Sequence, residues 1–363
     1  MLPAFFCQGM LRYRSHTRSG LVEKLREGAV FGRAHMRRRI RQETTLALLM
    51  LLSLLVSCSD GADNHAPERG PRLVLGFSPI VSWGNWNGAN ADSIRNAARD
   101  AGIELRLEDA RHSQEKQVAT LRSFVDQHVD VIAFSPVVEN GWEGVLREIR
   151  AAGIPVILMD RNVEVSDDTL YVSLIGSDFV EEGRRAGRWL LEHTRDVPGD
   201  IDIVELRGTE GSAPANDRAQ GFAEVIATDP RYHVIRSQTA DFDRALARRI
   251  MAAFLDAEGR RIRVLFTHSD SMALGGIEAI ESAGRKPGSD ILVVSIEGSR
   301  AGLEAIVAGK LNVTVECSPL LGPQLIGVAK DAAAGKPVPR RVITQESVFT
   351  RENAAVELPN RAY

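Results

Sequence analysis

Short apolar runs alternate with helical patterns along most of the chain, starting near residue 72. Apolar runs of four to five residues are typical of strands buried on both faces, and helices of about 12 residues connect such strands in parallel sheets. In the first half of this region the predicted strands lie at 73–77, 103–107, 131–134 and 155–159, with helices over 89–101, 115–128 and 141–152. The pattern predicts a doubly wound α/β lobe.

The same alternation then starts again. The second set of predicted strands lies at 201–206, 234–236, 264–267 and 291–294, with helices over 217–226, 244–258, 271–283 and 299–307. Two arrays of similar length predict two similar α/β lobes. Open α/β sheets bind ligands beyond the carboxyl ends of their strands, so we expect a shared cleft there.

A basic cluster and a short apolar run precede the lobes. Arg37-Arg38-Arg39-Ile40-Arg41 is followed by a leucine-rich run from Thr45 to Val56. This run is shorter than the roughly 20 residues that a membrane-spanning helix needs. The order of basic cluster, apolar run and small residue predicts a secretion leader over residues 1–57.

The end of the leader carries a possible lipid-attachment motif. Leu55-Val56-Ser57-Cys58 resembles the bacterial lipobox, which implies cleavage before Cys58 and a lipid on its sulfur. The alternative is an ordinary signal peptide with a coincidental cysteine. Because signal peptides begin with a short basic segment, we expect translation to start at Met36. Residues 58–70, rich in Asp, Asn, Gly and Pro, predict a solvated tether.

Charge and cysteine content narrow the function further. Residues 1–57 carry ten Lys or Arg against three Glu, a net +7, whereas the rest of the chain has 35 basic and 45 acidic residues, a net −10. So acidic a body has no electrostatic basis for binding nucleic acid. Of the three cysteines, Cys7, Cys58 and Cys317, only Cys317 would remain as a free thiol after processing and lipidation. We expect it to be a small buried residue.

Polar and aromatic residues follow the predicted strands. They comprise Ser78 with Trp83 and Trp86, Asp160-Arg161, Asn216-Asp217-Arg218, His268-Ser269-Asp270 and Glu297. Carboxylates and guanidinium groups make several directional hydrogen bonds to adjacent hydroxyls, and an aromatic face covers the C–H face of a sugar. Together they favour a neutral polyol over an anion. Singly, Asp160 and Asp217 could instead be helix caps or turn residues. Arg161 and Arg218 could be surface ion pairs.

At these residues the chain resembles the periplasmic sugar-binding proteins of the ribose/galactose type, and within that family the galactofuranose-binding members of bacterial ABC importers. The matching stretches are 74–78, 135–138 with Gly141-Trp142, 154–161, Asp217-Arg218 with 221–223, 236–238, 267–270, and Pro319 with Gly322-Pro323. The resemblance implies a type I periplasmic binding protein, whose two lobes are joined by a three-segment hinge and close on ligand. The implied crossovers lie near Gly176, Cys317 and Ser347, with lobe one at 71–176 and 317–346 and lobe two at 177–316 and 347–363.

The same resemblance implies the sugar contacts. They are Ser78, Trp86, Asn87, Asp160, Arg161, Arg218, Ser269, Asp270 and Glu297. Asp160 and Arg161 would bind hydroxyls from the first lobe and Arg218 from the second, while Trp86 stacks on the ring. The chain departs from the family pattern at Asn87, Ser269 and Glu297, which leaves the identity of the sugar open.

The function implied is an extracytoplasmic receptor that delivers a monosaccharide to an ABC permease and its ATPase. We expect a monomer in the periplasm or at the cell surface, lipid-anchored, with no cofactor and no metal. A sugar receptor that signals to a sensor kinase or chemotaxis system is the alternative. A DNA-binding repressor of the same fold is excluded by the secretory leader. An enzyme is disfavoured because the His-Glu-x-x-His and Gly-x-Ser-x-Gly motifs do not occur.

Overall fold

A computed structural model of the chain describes residues 72–80 and 84–363. The predictions for the leader, for translation start at Met36, for lipidation of Cys58 and for the tether at 58–70 all lie outside the described residues, as does Trp83.

The described chain contains two six-stranded sheets. Their strands are β1 (Val74–Ser78), β2 (Glu104–Leu107), β3 (Val131–Phe134), β4 (Val156–Met159), β5 (Ser173–Gly176), β6 (Ile201–Arg207), β7 (Tyr232–Thr239), β8 (Ile262–Thr267), β9 (Leu292–Glu297), β10 (Val313–Glu316), β11 (Arg341–Ile343) and β12 (Val348–Thr350). The first sheet has the order β11-β5-β4-β3-β1-β2 and is parallel throughout.

The second sheet has the order β12-β10-β9-β8-β6-β7. Its strands are parallel except for β12, which pairs antiparallel with β10 at the edge. In both sheets the strand order turns back beside the first strand, so the fold is the predicted pair of doubly wound α/β lobes. The short antiparallel edge strand is the one departure from purely parallel sheets.

Helices connect the strands. They are α1 (Gly84–Asp100), α2 (Gln114–Asp126), α3 (Glu143–Ala151), α4 (Phe179–His193), α5 (Ala213–Ile226), α6 (Arg244–Glu258), α7 (Asp270–Ser282), α8 (Arg300–Val307), α9 (Gly322–Ala333) and α10 (Ala354–Glu357). Several begin at a side chain that caps the helix by accepting a backbone N–H three residues on; these are Ser113, Asp178, Asp243, Ser269 and Ser299.

Each sheet is buried on both faces. The first carries one apolar cluster with residues of α1 and α9 and another with residues of α2 and α3. The second carries one with residues of α6, α7 and α8 and another with residues of α4 and α5. The central strands β3 and β4 are buried along their whole length, which explains their uninterrupted apolar sequences.

The chain passes between the two sheets three times. The crossings run from β5 to α4, from β10 to α9, and from β11 to β12. One carboxylate oxygen collects bonds from all three crossings: Glu346 Oε1 accepts the Ser177 hydroxyl, the Ser318 N–H at 3.2 Å and the Thr344 hydroxyl at 2.8 Å. The residue limits given above for the lobes stay a prediction.

No helix among residues 72–80 and 84–363 combines the length and the apolar character that a membrane crossing requires.

Candidate functional site

A cavity of about 240 Å³ lies between the carboxyl ends of the two sheets. Its lining residues are Trp86, Asn87, His112, Asp160, Arg161, Pro214, Arg218, Phe242, Arg244, Ser271, Leu274, Glu297, Ser299, Ala301 and Cys317. Six of the nine residues predicted to contact sugar are among them, which are Trp86, Asn87, Asp160, Arg161, Arg218 and Glu297. Cys317 is the buried free thiol that the sequence predicts.

Asp160 and Arg161 reach the cavity directly from the end of β4. Asp160 has a left-handed backbone, with φ of 63°, and its N–H donates to the Ile175 carbonyl at 2.7 Å. A Cβ on Gly176 would lie 2.8 Å from Asp160 Cα, so only glycine allows this approach. Arg161 Nε lies 3.5 Å from Asp160 Oδ2, and its Nη1 donates to the Val137 carbonyl at 3.3 Å.

The electrostatics of this pair are set by burial. Asp160 is 7% exposed and Arg161 is 8% exposed. Burial raises the pKa of Asp160, against the opposing effects of Arg161 and Arg218, and burial lowers the pKa of Arg161 against that of Asp160. The charge on Asp160 is therefore favoured by the neighbouring arginines and opposed by burial, whereas the Arg161 guanidinium stays a cation.

Arg218 faces the cavity from helix α5 in the second lobe. Its Nε donates to Glu182 Oε2 at 2.7 Å, and its Nη1 donates to the His268 carbonyl at 2.7 Å. Its guanidinium also lies 4.9 Å from the centre of the Phe179 ring. Although burial opposes the charge, Glu182 raises the pKa of Arg218, so this side chain is a fixed cation.

Two glycines bring α4 and α5 close enough to hold this pair. A Cβ on Gly183 would lie 2.2 Å from the Arg218 carbonyl oxygen, and a Cβ on Gly221 would lie 1.9 Å from the Val180 carbonyl oxygen. Neither gap admits a methyl group. The close helix packing therefore fixes where Arg218 enters the cavity.

Glu297 ends strand β9 and lines the cavity with an unusual backbone, φ being 121°. Burial, with the nearby Asp270 carboxyl adding to it, raises the pKa of Glu297 to about 8. At neutral pH its carboxyl group is therefore mainly protonated in the unliganded site. A protonated carboxyl both donates and accepts, as a sugar hydroxyl requires of its partner.

Trp86 is held in place by its own polar atom. The indole Nε1 donates to the Cys317 carbonyl at 2.7 Å, and one helical turn on, Asn90 Nδ2 donates to the Pro319 carbonyl at 2.9 Å. These bonds tie α1 to the second crossing of the hinge. The ring is thereby fixed at the cavity wall, where its face can cover a ligand.

Three of the predicted contacts lie outside the cavity lining. Ser78 is fully buried, with Gln117 Nε2 donating to its hydroxyl at 3.4 Å and to its carbonyl at 3.1 Å. Ser269 caps α7 by accepting the Met272 N–H at 3.2 Å. Asp270 accepts the Ser299 N–H and hydroxyl and, on its other oxygen, the Thr314 hydroxyl at 2.7 Å. These three side chains brace the strand ends rather than face the cavity, and Ser271 lines it instead.

Two rings that the sequence analysis did not select also line the cavity, His112 and Phe242. They occupy equivalent positions in the two lobes. His112 is the third residue of the segment 110–113, which follows β2, and Phe242 is the third residue of the segment 240–243, which follows β7. A comparison of the two arrays position by position would have found this repeat. Gly208 lies directly against Phe242: a Cβ there would be 2.0 Å from the ring.

The lobes touch across the cleft in this structure. The Glu139 N–H of the first lobe donates to the Gly211 carbonyl of the second at 3.0 Å, and Asn216 Nδ2 donates to Glu139 Oε2 at 2.7 Å. The Arg161 guanidinium lies 5.6 Å from the centre of the Phe242 ring. The cavity is therefore enclosed from both sides.

The described residues contain one group of three side chains with metal-ligating atoms within 4.8 Å of one another, Glu182, Cys317 and Glu346. Glu182 already pairs with Arg218, and Glu346 accepts from the hinge hydroxyls and the Ser318 N–H. Burial also raises the pKa of the Cys317 thiol well above its usual range. The group therefore fits hinge hydrogen bonding better than a cation.

Two doubly wound lobes, joined by three crossings and closed on a small polar cavity, define a ligand receptor that works by hinge closure. Residues 75–337 match the family of the periplasmic binding protein domain. The chain belongs to that family.

Individual relatives agree in length as well as in sequence. The galactofuranose-binding protein YtfQ of Escherichia coli is 37% identical over 311 residues, which cover 85% of this chain and 97% of the relative. A Mycobacterium smegmatis structure in complex with beta-D-fucofuranose is 48% identical, covers 79% of this chain and 94% of its own, and superimposes with a TM-score of 0.78. The binding component of the arabinose ABC transporter from Shewanella sp. ANA-3, bound to alpha- and beta-L-arabinofuranose, is 42% identical, covers 80% and 95%, and has a TM-score of 0.77.

Proposed function

We propose that this chain is the extracytoplasmic substrate-binding protein of a sugar ABC importer and that it closes on a monosaccharide in the furanose form, such as galactofuranose. The observation that carries the proposal is the enclosed cavity to which Asp160 and Arg161 contribute from one lobe and Arg218 and Glu297 from the other. A ligand that bonds to both pairs stabilises the closed arrangement of the lobes.

The arrangement of charges supports a neutral ligand. Arg218 is already compensated by Glu182, and Arg161 lies beside Asp160. The third arginine of the lining, Arg244, pairs with Glu278. Among the described lining residues, no arginine is therefore left without an acidic partner for a ligand carboxylate or phosphate. A hydroxyl can accept from a guanidinium and donate to a carboxyl group. A ligand with adjacent hydroxyls can therefore bond to Asp160 and Arg161 and to Arg218 and Glu297 at once.

The size of the cavity supports a single small sugar. At about 240 Å³ it lies below the roughly 300–1,000 Å³ that is typical of pockets for drug-sized ligands. Trp86 and Phe242 supply flat apolar surfaces for the C–H edges of a ring. The named ligands of the related structures, fucofuranose and arabinofuranose, are both five-membered rings.

The proposal extends to partners and location. The protein would work as a monomer in the periplasm or at the cell surface, held by a lipid on Cys58 and the tether at 58–70, and would pass its sugar to an ABC permease and its ATPase. A receptor for a sensor kinase has less support, since one close relative is named as a component of an ABC transporter. The role proposed is binding without turnover.

Isothermal titration calorimetry with four sugars tests the ligand class. D-Galactose, D-fucose and L-arabinose each form furanose rings in solution and are neutral, whereas D-galacturonate carries a carboxylate. We expect the neutral sugars to bind and the acid to bind much more weakly, because its carboxylate would be buried where each lining arginine already has an acidic partner. Failure of all three neutral sugars, or tighter binding of the acid, would refute the proposal.

A further inference from the structure

The turn that carries His112 has the same conformation as the turn that carries Phe242. Arg111 and His112 have φ of 49° and 59°, and Asp241 and Phe242 have φ of 52° and 56°. Left-handed backbone in two successive non-glycine residues is strained, because each Cβ crowds the neighbouring backbone. The same costly backbone appears once in each lobe.

The hydrogen bonds of the two turns also match. The Ser113 N–H donates to the Ala110 carbonyl at 3.1 Å, and the Asp243 N–H donates to the Ala240 carbonyl at 2.8 Å. Ser113 and Asp243 then cap the following helices, α2 and α6. In both lobes, the second left-handed residue therefore places its ring at the cavity wall, and the residue after it caps a helix.

The ring in the first lobe is polar and the ring in the second is not. His112 is half-buried and lines the cavity near Arg161. The Arg161 guanidinium also lies 5.6 Å from the centre of the Phe242 ring. Burial, followed by the Arg161 charge, lowers the pKa of His112, against the opposing effect of Asp109. A neutral imidazole offers one donor and one acceptor to the cavity.

We infer that His112 is a ligand-contacting residue that sets sugar specificity by hydrogen bonding to a hydroxyl from the first lobe, opposite the apolar contact of Phe242 from the second. This inference rests on the proposed function and specifies the substrate class further. The preferred sugar presents a hydroxyl on the side of the ring that faces His112 and C–H groups on the side that faces Phe242. The strained turns fix the two rings at equivalent places in the two lobes.

The decisive variant is His112→Phe, because this chain already places phenylalanine at the equivalent left-handed position. Arg111→Asn is the matched control: it lies on the same turn, is exposed, is absent from the lining, and asparagine tolerates left-handed backbone. In calorimetry with L-arabinose and D-galactose we expect His112→Phe to weaken the binding of at least one sugar about tenfold or more, and Arg111→Asn to leave both affinities unchanged. Equal affinities for wild type and His112→Phe would overturn the inference.

A direct measurement separates contact from support. The protein labelled with ¹⁵N in its histidine rings is titrated with L-arabinose, and the His112 resonances are assigned by their loss in His112→Phe. We expect the ring-nitrogen shifts of His112 to move on saturation with sugar, because a new hydrogen bond changes the state of the ring nitrogen. Unchanged His112 shifts in a protein that binds the sugar contradict the inference alone, whereas absence of binding in the wild type contradicts the proposed function.

Discussion

The contact between Arg218 and Glu182 is the most buried ion pair of the site. Arg218 is 3% exposed and Glu182 is 1% exposed, and Glu182 Oε1 has no hydrogen-bond partner. Burying two charges costs several kcal/mol, which only their mutual attraction and further hydrogen bonds offset. The Arg218–Glu182 pair therefore keeps a positive charge at the cavity, and the burial of its two charges reduces the free energy of unfolding.

Removing Arg218 leaves the Glu182 charge uncompensated. We expect Arg218→Ala to lower the free energy of unfolding by about 3–5 kcal/mol, measured by urea denaturation. Arg184→Ala is the control, since the Arg184–Glu224 pair, at 2.7 Å, is exposed on the same two helices. That variant should change stability only slightly. A similar loss of unfolding free energy in the two variants would show that burial of the ion pair does not determine its contribution to stability.

Glu297 gives the protein a stability that depends on pH. Its pKa is about 8 in the folded protein, and the ordinary value is 4.5. Between these values Glu297 binds more protons in the folded state than in the unfolded state, so its contribution to stability is fully present below pH 4.5 and is lost as the pH rises to 8. We expect Glu297→Gln to show a shallower decline of the urea midpoint from pH 5 to pH 8 than wild type. Parallel declines would contradict the shift.

The sequence identifies the edge at which the site lies better than it identifies the side chains that face it. Asp160, Arg161, Arg218 and Glu297 line the cavity as predicted, because the carboxyl ends of both sheets meet there. Ser78, Ser269 and Asp270 also lie at strand ends, yet their side chains bond to neighbouring helices and strands instead of facing the cavity. Their direction depends on backbone dihedrals that a strand-end position does not specify. His112 and Phe242 reach the cavity through left-handed turns that lack glycine, the usual sign of such backbone.

At the scale of elements, continuous apolar sequence is what makes a strand predictable. The central strands β3 and β4 are fully apolar, and the sequence predicts them correctly. The strands β5, β10, β11 and β12 were not assigned, because β5 contains Ser173 and Gly176, β10 contains Thr and Glu, and the last two have three residues each. Helix α1 begins at Gly84, five residues before the predicted start, since its Gly- and Asn-rich first turns have low helix propensity.

Gly208, in the loop after β6, leaves room for the Phe242 ring because it has no side chain. A Cβ at Gly208 would lie within 2.6 Å of three atoms of the Phe242 ring. Gly208→Ala should therefore displace the ring from the cavity and weaken sugar binding about tenfold or more, as lost burial of one aromatic contact predicts. The measurement is calorimetry with the best of the neutral sugars.

Gly144→Ala is the matched control for that substitution. A Cβ at Gly144, in helix α3, would meet nothing within 4 Å. This variant should bind sugar normally and gain about 0.5–1 kcal/mol of stability from the better helix former. If Gly208→Ala also binds normally, the Phe242 ring does not need its present position.

At the scale of the whole molecule, closure brings like charges together. Asp217 of the second lobe lies near Glu139 of the first and Asp178, and Arg218 and Arg341 oppose them. Burial and these two carboxylates raise the pKa of Asp217 from 3.8 to about 6 in the closed arrangement. Separation of the lobes removes both Glu139 and Arg341, whose effects on this pKa oppose each other. We expect the loss of burial, the largest cause of the shift, to lower the pKa of Asp217 in the open form.

Closure should therefore be favoured by acid. Between about pH 4 and pH 6 the closed form binds more protons at Asp217 than the open form, so sugar affinity should rise as the pH falls from 7 to 5. Calorimetry at several pH values measures this, and Asp217→Asn should give tighter binding at pH 7 and a flatter profile. A profile unchanged by Asp217→Asn would mean that other groups carry the dependence.

The shared carboxylate of Glu346 has a mechanical consequence. Since one oxygen atom binds groups from all three crossings, no crossing can bend without straining bonds to the other two. We therefore expect the three crossings to bend together, which favours rotation of the lobes about one axis over twisting or sliding. Sugar-induced closure followed by fluorescence should be a single exponential, and Glu346→Ala should add slower or faster phases as the crossings become independent.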